Sequence, residues 1–332
     1  MKHNAPAKAV AVGAQIYRFP VTGPSSGGKF SLLWTSAPAS GALGVLPHTH
    51  HQYYENFFCM GGRYQLWTEK YGDKQGRLLT PGDYGAVPPN TTHTFQLLDP
   101  MTELLGAIAP GGFEDLFFQI ANSNYSAPTL SPYVPSASNN SAGAGSSAGM
   151  ISALEALDVF AQLDFSPRRD FVNGSAPASE WHVSENIVPS NFTPFYIAKD
   201  YGPKYLHSGA HYQIVQPFLT PSQTKSFEFT EGTITLSPLA PGANASAITP
   251  SGAMAFQVIE GELTVEMEGE TLRLINGDVV FVPENTAFTY FSSAAFTKVL
   301  YLCSGNSTLD TQLIANATSW DYPTWPTSFP KF

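Results

Sequence analysis

Charge is scarce in this chain of 332 residues: Asp, Glu, Lys and Arg make up 13% of it, about half the ~25% usual in soluble domains. The 16 basic residues are outnumbered by 26 acidic ones, for a net charge of −10. They form no cluster, which argues against nucleic acid or an anionic membrane as a partner. No apolar run reaches the roughly 18 residues that a bilayer-crossing helix needs. The opening MKHNAPAKAV has no signal-peptide apolar stretch, so the expectation is that any targeting segment has been removed. Cysteine is limited to Cys59 and Cys303; they form no metal-type cluster, and their spacing leaves open whether they pair.

What is abundant is punctuation and aromatics: 28 Gly, 27 Pro, 23 Phe and 15 Tyr. That mix predicts short strands joined by turns rather than long helices, and the length suggests two domains. Asn-x-Ser/Thr acceptors stand at Asn90, Asn124, Asn139, Asn173, Asn191, Asn244, Asn306 and Asn316. Eight such triplets in a chain this poor in charge predict a mature, secreted glycoprotein, although a bacterial chain could carry them unused.

An internal repeat organises the chain. GDYGAVPPNTTHTF (82–95) and GDVVFVPENTAFTY (277–290) match at an offset of 195, and GGRYQLW (61–67) parallels EGELTVE (260–266) at an offset of 199. The difference is expected to lie in a longer turn, KYGDKQGR (70–77) against EGE (268–270). Two copies of one β-unit are present, separated by the Ser-, Gly- and Pro-rich SPYVPSASNNSAGAGSSAGM (131–150), a linker by composition. Helical spacing of Ile151, Leu154, Leu157 and Ala161 predicts a short helix over 151–163. The expected division is 1–125, a linker with its helix over 126–186, and 187–332.

Chemistry concentrates in GVLPHTHHQYYENFFCMGG (44–62). His48 and His50 are two apart, so on a strand both imidazoles share a face. Glu55 joins them if a turn at 51–54 reverses the chain, and His93 arrives from a third strand. Three neutral imidazoles and a carboxylate make a first-row transition-metal site with room for an exogenous ligand. His51 should face away by strand alternation, Cys59 is read as inert packing, and Asp83 and Asp278 as turn residues. His207 and His211 are read as solvated loop residues, since Gly209 lies between them and no HExxH pattern surrounds them.

The pattern Gly44…His48-x-His50-x4-Glu55-x6-Gly62, followed by Gly82-x5-Pro88-x-Asn90-x2-His93, resembles the two motifs of the cupin superfamily. This implies an all-β chain of two cupin, jelly-roll-like β-barrel domains, a bicupin. Projection through the repeat puts Ala247, Thr249, Met254 and Phe288 where the first copy has its four donors. A lone thioether will not hold a borderline metal, so the C-terminal copy is expected to be metal-free.

TGPSSG (22–27), LGVLPH (43–48), YENFFC (54–59), QLW (65–67), GDYG (82–85), THTFQ (92–96), PGGFEDLF (110–117), FVNGSAPA (171–178) and GPKYL (202–206) are similar to strings of the fungal quercetin 2,3-dioxygenases. The likeness implies a secreted copper glycoprotein that opens the central ring of flavonols such as quercetin with O2, giving a depside and carbon monoxide. It implies one Cu(II) per chain on His48, His50 and His93, with Glu55 as fourth ligand and as base for the flavonol 3-hydroxyl. Strand parity turns Phe57 and Phe95 toward the metal, and the family pattern adds Tyr17, Thr35 and Phe113. Leu33, Leu104 and Ile108 are expected to complete the wall, Leu33 and Leu104 in place of methionines of the family. Two alternatives stand beside this reading: a manganese bicupin acting on oxalate as decarboxylase or oxidase, and a non-enzymatic storage or ligand-binding bicupin. The sequence leaves a homodimer open, since one bicupin already reproduces a cupin pair.

Overall fold

A computed structural model describes residues 7–125, 148–169, 186–189 and 191–327. The chain divides into two compact units, Pro6–Tyr201 and Gly202–Phe332. In the first, an eight-stranded sheet runs in the order Ser123–Asn124, Lys8–Val12, Gln15–Val21, Ser31–Ala37, Thr102–Ala109, Tyr54–Gly61, Tyr84–Val87, Phe195–Ile197. Its companion sheet has Phe160–Ala161, His48–Thr49, Thr92–Leu97, Tyr64–Lys70 and Asp73–Leu79. The second unit repeats the plan with seven and three strands. Named strand pairs are antiparallel throughout.

The sheets are open rather than closed barrels. Their free edges are charged where they are longest: Asp73–Leu79 carries Asp73, Lys74 and Arg77, and Glu270–Ile275 carries Glu270 and Arg273. Charge on an edge discourages pairing with another chain. Apolar side chains fill the space between sheets; in the first unit Phe57, Tyr64, Leu66, Phe95 and Leu104 belong to one buried cluster.

Register proves the repeat. Glu55 lies opposite Val87 as Met254 lies opposite Val282, and Leu66 faces Phe95 as Val265 faces Tyr290. Around the Gly-Asp steps the bonding is the same: the Gly82 amide donates to Cys59 and the Gly277 amide to Val258, while Asp83 and Asp278 accept from the amides of Thr80 and Ile275. The offset change, however, is not a longer turn. Both hairpins close through two left-handed residues, Tyr71-Gly72 and Glu268-Gly269, between the pairs Lys70↔Asp73 and Met267↔Glu270. The additional residues lengthen the two arms instead.

The linker helix is also shorter than its apolar spacing predicts. It covers Ala148–Glu155 and is stopped by Asp158, whose φ of 62° is left-handed. The Val159 amide donates to Leu154 and the Asp158 amide to Glu155, the paired closure of a Schellman ending. Ala161 then lies in a strand instead of a helix.

In the second unit, His207 and His211 flank a tight hairpin turn rather than a solvated loop. His211 is buried and sits 6.0 Å from the Tyr290 ring. Burial, with His207 nearby, lowers its pKa to about 4.

Candidate metal centre

The strand His48–Thr49 lies antiparallel to Thr92–Leu97, with His48 directly opposite His93. Opposed residues on one face bring side chains into contact, and here the ring centroids are 4.3 Å apart. His50 follows two residues on, and after a short turn the strand Tyr54–Gly61 carries Glu55 in from the other sheet. One donor atom from each of His48, His50, Glu55 and His93 falls within 4.8 Å of all the others. His51 is exposed and stacked on Phe160 at 4.0 Å, outside this group.

Each imidazole is held by its other nitrogen. Nδ1 of His48 donates to the Leu46 carbonyl at 2.7 Å, Nδ1 of His93 to Thr91 at 3.1 Å, and Nδ1 of His50 to Asp158 at 2.7 Å. A carbonyl oxygen only accepts, so each Nδ1 carries the proton and each neutral ring presents a lone pair on Nε2. Those lone pairs converge: His48 Nε2 is 3.1 Å from His50 Nε2, and Glu55 Oε2 is 2.9 Å from His93 Nε2 and 3.4 Å from His50 Nε2. Acceptors facing one another in a buried place form a ready cradle for a cation. The set of three nitrogens and one oxygen fits a first-row divalent ion.

The electrostatics agree. Burial, with His93 and His50 alongside, holds His48 well below the usual imidazole range, in its neutral ligand form. Burial pushes the Glu55 carboxyl up, but the adjoining His50 and His93 rings outweigh it and hold the group below the ordinary carboxylate range, in its charged form.

Beside the four donors opens a cavity with about 950 Å³ of free space, its open mouth included. Of the residues expected to line it, Tyr17, Leu33, Thr35, Phe57, Phe95, Leu104 and Phe113 do so. Ile108 does not: it is fully buried in the cluster beneath Phe113 and Leu116, and Gly106 takes its place on the wall. The Thr35 hydroxyl is buried with no hydrogen-bond partner. The Tyr17 hydroxyl donates to Gln15 at 2.8 Å, and burial together with the Glu55 charge pushes its phenol up.

Sequence reasoning missed Gln15 and the segment that supplies Leu154, Val159 and Ala161 to the wall. That segment follows the linker. Phe160–Ala161 pairs with His48–Thr49, and the carboxylate of Asp158 accepts the amides of His51 and Gln52. No side-chain pattern signals such contacts, because each of them ends on a backbone atom.

In the second unit the counterparts of the histidines differ by one residue from the projection. Ile248 bridges Phe288, as His48 does His93, and the Asn285 amide donates to Pro250 as that of Asn90 donates to His50. Ile248 and Pro250 therefore replace Ala247 and Thr249, because the turn leading to Met254 is one residue shorter than that leading to Glu55. Phe256, Phe288 and Tyr290 pack together there, with ring centroids 5.2 to 6.1 Å apart. Cys59 and Cys303 are both free and buried, and burial pushes each thiol up.

Among the described residues, no helix is long and apolar enough to cross a membrane. No protein-family model matches the chain. Its fold is shared with oxalate decarboxylase from Bacillus subtilis, at a TM-score of 0.52 and 16% identity, over 93% of this chain and 78% of that one; such a likeness speaks for architecture alone. In sequence it is 22% identical over 300 residues to quercetin 2,3-dioxygenase of Bacillus subtilis (strain 168), covering 87% of this chain and 77% of the relative. It is 45% identical over 330 residues to quercetin 2,3-dioxygenase of Aspergillus japonicus, covering 98% and 94% of the two chains. With convergent donors, an apolar cavity and a likeness that runs nearly end to end, the chain belongs to the quercetin 2,3-dioxygenase family.

Proposed function

We propose that the chain is a copper-dependent flavonol dioxygenase, which opens the central ring of quercetin or a close relative with O2 to give a depside and carbon monoxide. The observation that carries this reading is the meeting of three Nε2 lone pairs and a carboxylate at one end of an aromatic cavity. A bound ion would supply Lewis acidity and redox access to the substrate oxygen. His48, His50, His93 and Glu55 would hold it, one ion per chain, and Irving–Williams preference supports copper.

The protein's own part is positioning, proton handling and exclusion of water. Phe57, Phe95 and Phe113 give flat apolar faces for a planar phenolic guest. Glu55 is the only carboxylate among the described residues lining the cavity, so Oε2 is the atom to receive the 3-hydroxyl proton. Thr35 Oγ1 offers a hydrogen bond to a substrate oxygen. No Lys or Arg lines the cavity among the described residues, which disfavours a small dicarboxylate such as oxalate.

A secreted, glycosylated state belongs to the same reading. Asn90, Asn124, Asn191, Asn244, Asn306 and Asn316 are all exposed; Asn139 and Asn173 lie outside the described residues. Aerobic addition of quercetin to copper-loaded protein should bleach its visible band with one carbon monoxide released per flavonol. An unchanged band with full copper occupancy would overturn the reading.

A further inference from the structure

Three carbonyls orient the three imidazoles, but they are not equivalent. Leu46 and Thr91 each lie two residues from the histidine they hold, so those anchors come with the local backbone. Asp158 lies 108 residues beyond His50. On this one residue, 7% exposed, three kinds of bond meet. Its carbonyl takes the His50 Nδ1 proton at 2.7 Å. Its carboxylate takes the His51 amide at 3.1 Å through either oxygen and the Gln52 amide at 2.8 Å.

We propose that Asp158 is a positioning residue for the metal centre: its carboxylate clamps the 51–52 turn to the same residue whose carbonyl aims the His50 ring, and so fixes the direction of the His50 lone pair. The inference rests on the metal-site reading above. Residue choice supports it. A φ of 62° favours Gly, Asn and Asp. Of these, Asp alone presents two oxygens that only accept, and both lie 3.1 Å from the His51 amide, where the NH2 group of an Asn would meet another donor. Neighbouring contacts keep the clamp in place: Phe160–Ala161 pairs with His48–Thr49, the Gln162 amide donates to Pro47, and Phe160 stacks on His51.

A helix-stopping turn alone would explain the left-handed backbone but not the carboxylate, and the two roles separate by substitution. Asp158→Gly keeps the turn and the carbonyl while removing the clamp. Asp158→Asn keeps the turn and one acceptor. Full-length protein is stripped of metal and reloaded with Cu(II); affinity is measured by chelator competition and geometry by the copper hyperfine splitting in electron paramagnetic resonance. Loss of a partner that orients a ligand typically lowers affinity about 10–100-fold. That is the expectation for Asp158→Gly, with a changed hyperfine splitting and partial recovery of both in Asp158→Asn. Wild-type affinity and spectrum in Asp158→Gly would overturn the proposal. If that variant does not fold, wild-type values in Asp158→Asn would do the same, whereas a smaller loss of affinity with a shifted spectrum would support it. Failure of the wild type to bind Cu(II) would instead bring down the metal-site reading, and this inference with it.

Discussion

Replacing Glu114 by Ala should destabilise the first unit by about 3–5 kcal/mol. Glu114 is 1% exposed; one carboxylate oxygen accepts the Gly23 amide at 2.7 Å and the other accepts the Ser31 hydroxyl. Ser31 in turn takes the Gly112 amide at 3.0 Å. Hydrogen bonds to a charged group contribute about 1.5–3 kcal/mol each, and a buried amide left unpaired adds its own penalty. Nor can the backbones move together to compensate: a Cβ on Gly23 would already lie 2.6 Å from the Gly112 nitrogen. For a unit of this size the loss corresponds to a fall in melting temperature of roughly 10 °C. Function should follow, because the adjacent Phe113 presents its ring edge-on to His50 at 4.9 Å and to Tyr53 at 5.0 Å. A loosened loop blunts that wall, so KM for quercetin should rise more than kcat falls. Thermal unfolding of metal-free protein, followed by tryptophan fluorescence, measures the first effect; initial rates of quercetin bleaching measure the second. Glu114→Gln retains one acceptor and should lose only about 1–2 kcal/mol. An Ala variant as stable as the Gln variant would refute the reasoning.

Thr35→Val should act in opposite directions on stability and binding. Removing a buried hydroxyl without a partner should stabilise the metal-free protein by up to about 1 kcal/mol, while KM for quercetin rises about 5-fold if Oγ1 meets the substrate, both read on one preparation. His93→Ala should abolish stoichiometric copper binding while the fold persists, as checked by metal analysis and circular dichroism. His211, ordinarily near 6.5, is lowered to about 4, so the unfolded chain binds the additional proton between these values. That contribution to stability is complete above pH 6.5 and is lost as pH falls toward 4, to a total of about 3 kcal/mol; denaturant melts of wild type and His211→Asn across this window should differ by that slope. Expression through a eukaryotic secretory route should place glycan on the exposed acceptors, detected as deamidated asparagines at 90, 124, 191, 244, 306 and 316 after enzymatic deglycosylation.

The donor set was legible because strand alternation is local: His48 and His50 share a face by spacing alone, and a turn of four residues suffices to bring Glu55 round. Phe57 and Phe95 were legible for the same reason. Ile108, expected on the wall beside Leu33 and Leu104, is packed instead into the buried cluster with Phe113 and Leu116. A constant offset between copies failed at Ala247 and Thr249, where one residue is missing from a turn, and it mistook longer hairpin arms for a longer loop. Apolar spacing ran the linker helix on to Ala161, since nothing in the i, i+3, i+4 pattern marks Asp158 as left-handed. Asp158 itself was invisible as a support of His50, as its contacts depend on the path of the chain across more than a hundred residues.

That path sets an order of events. During synthesis His48, His50, Glu55 and His93 all emerge before Asp158, with a lag of several seconds at about 5–20 residues per second. A nascent chain ending just short of the linker helix would display every donor, yet lack both the anchor of one imidazole and the strand beside another. The ion's cradle is therefore finished by polypeptide made after the donors themselves, and ribosome-bound intermediates should chelate loosely until the segment 158–162 has left the exit tunnel.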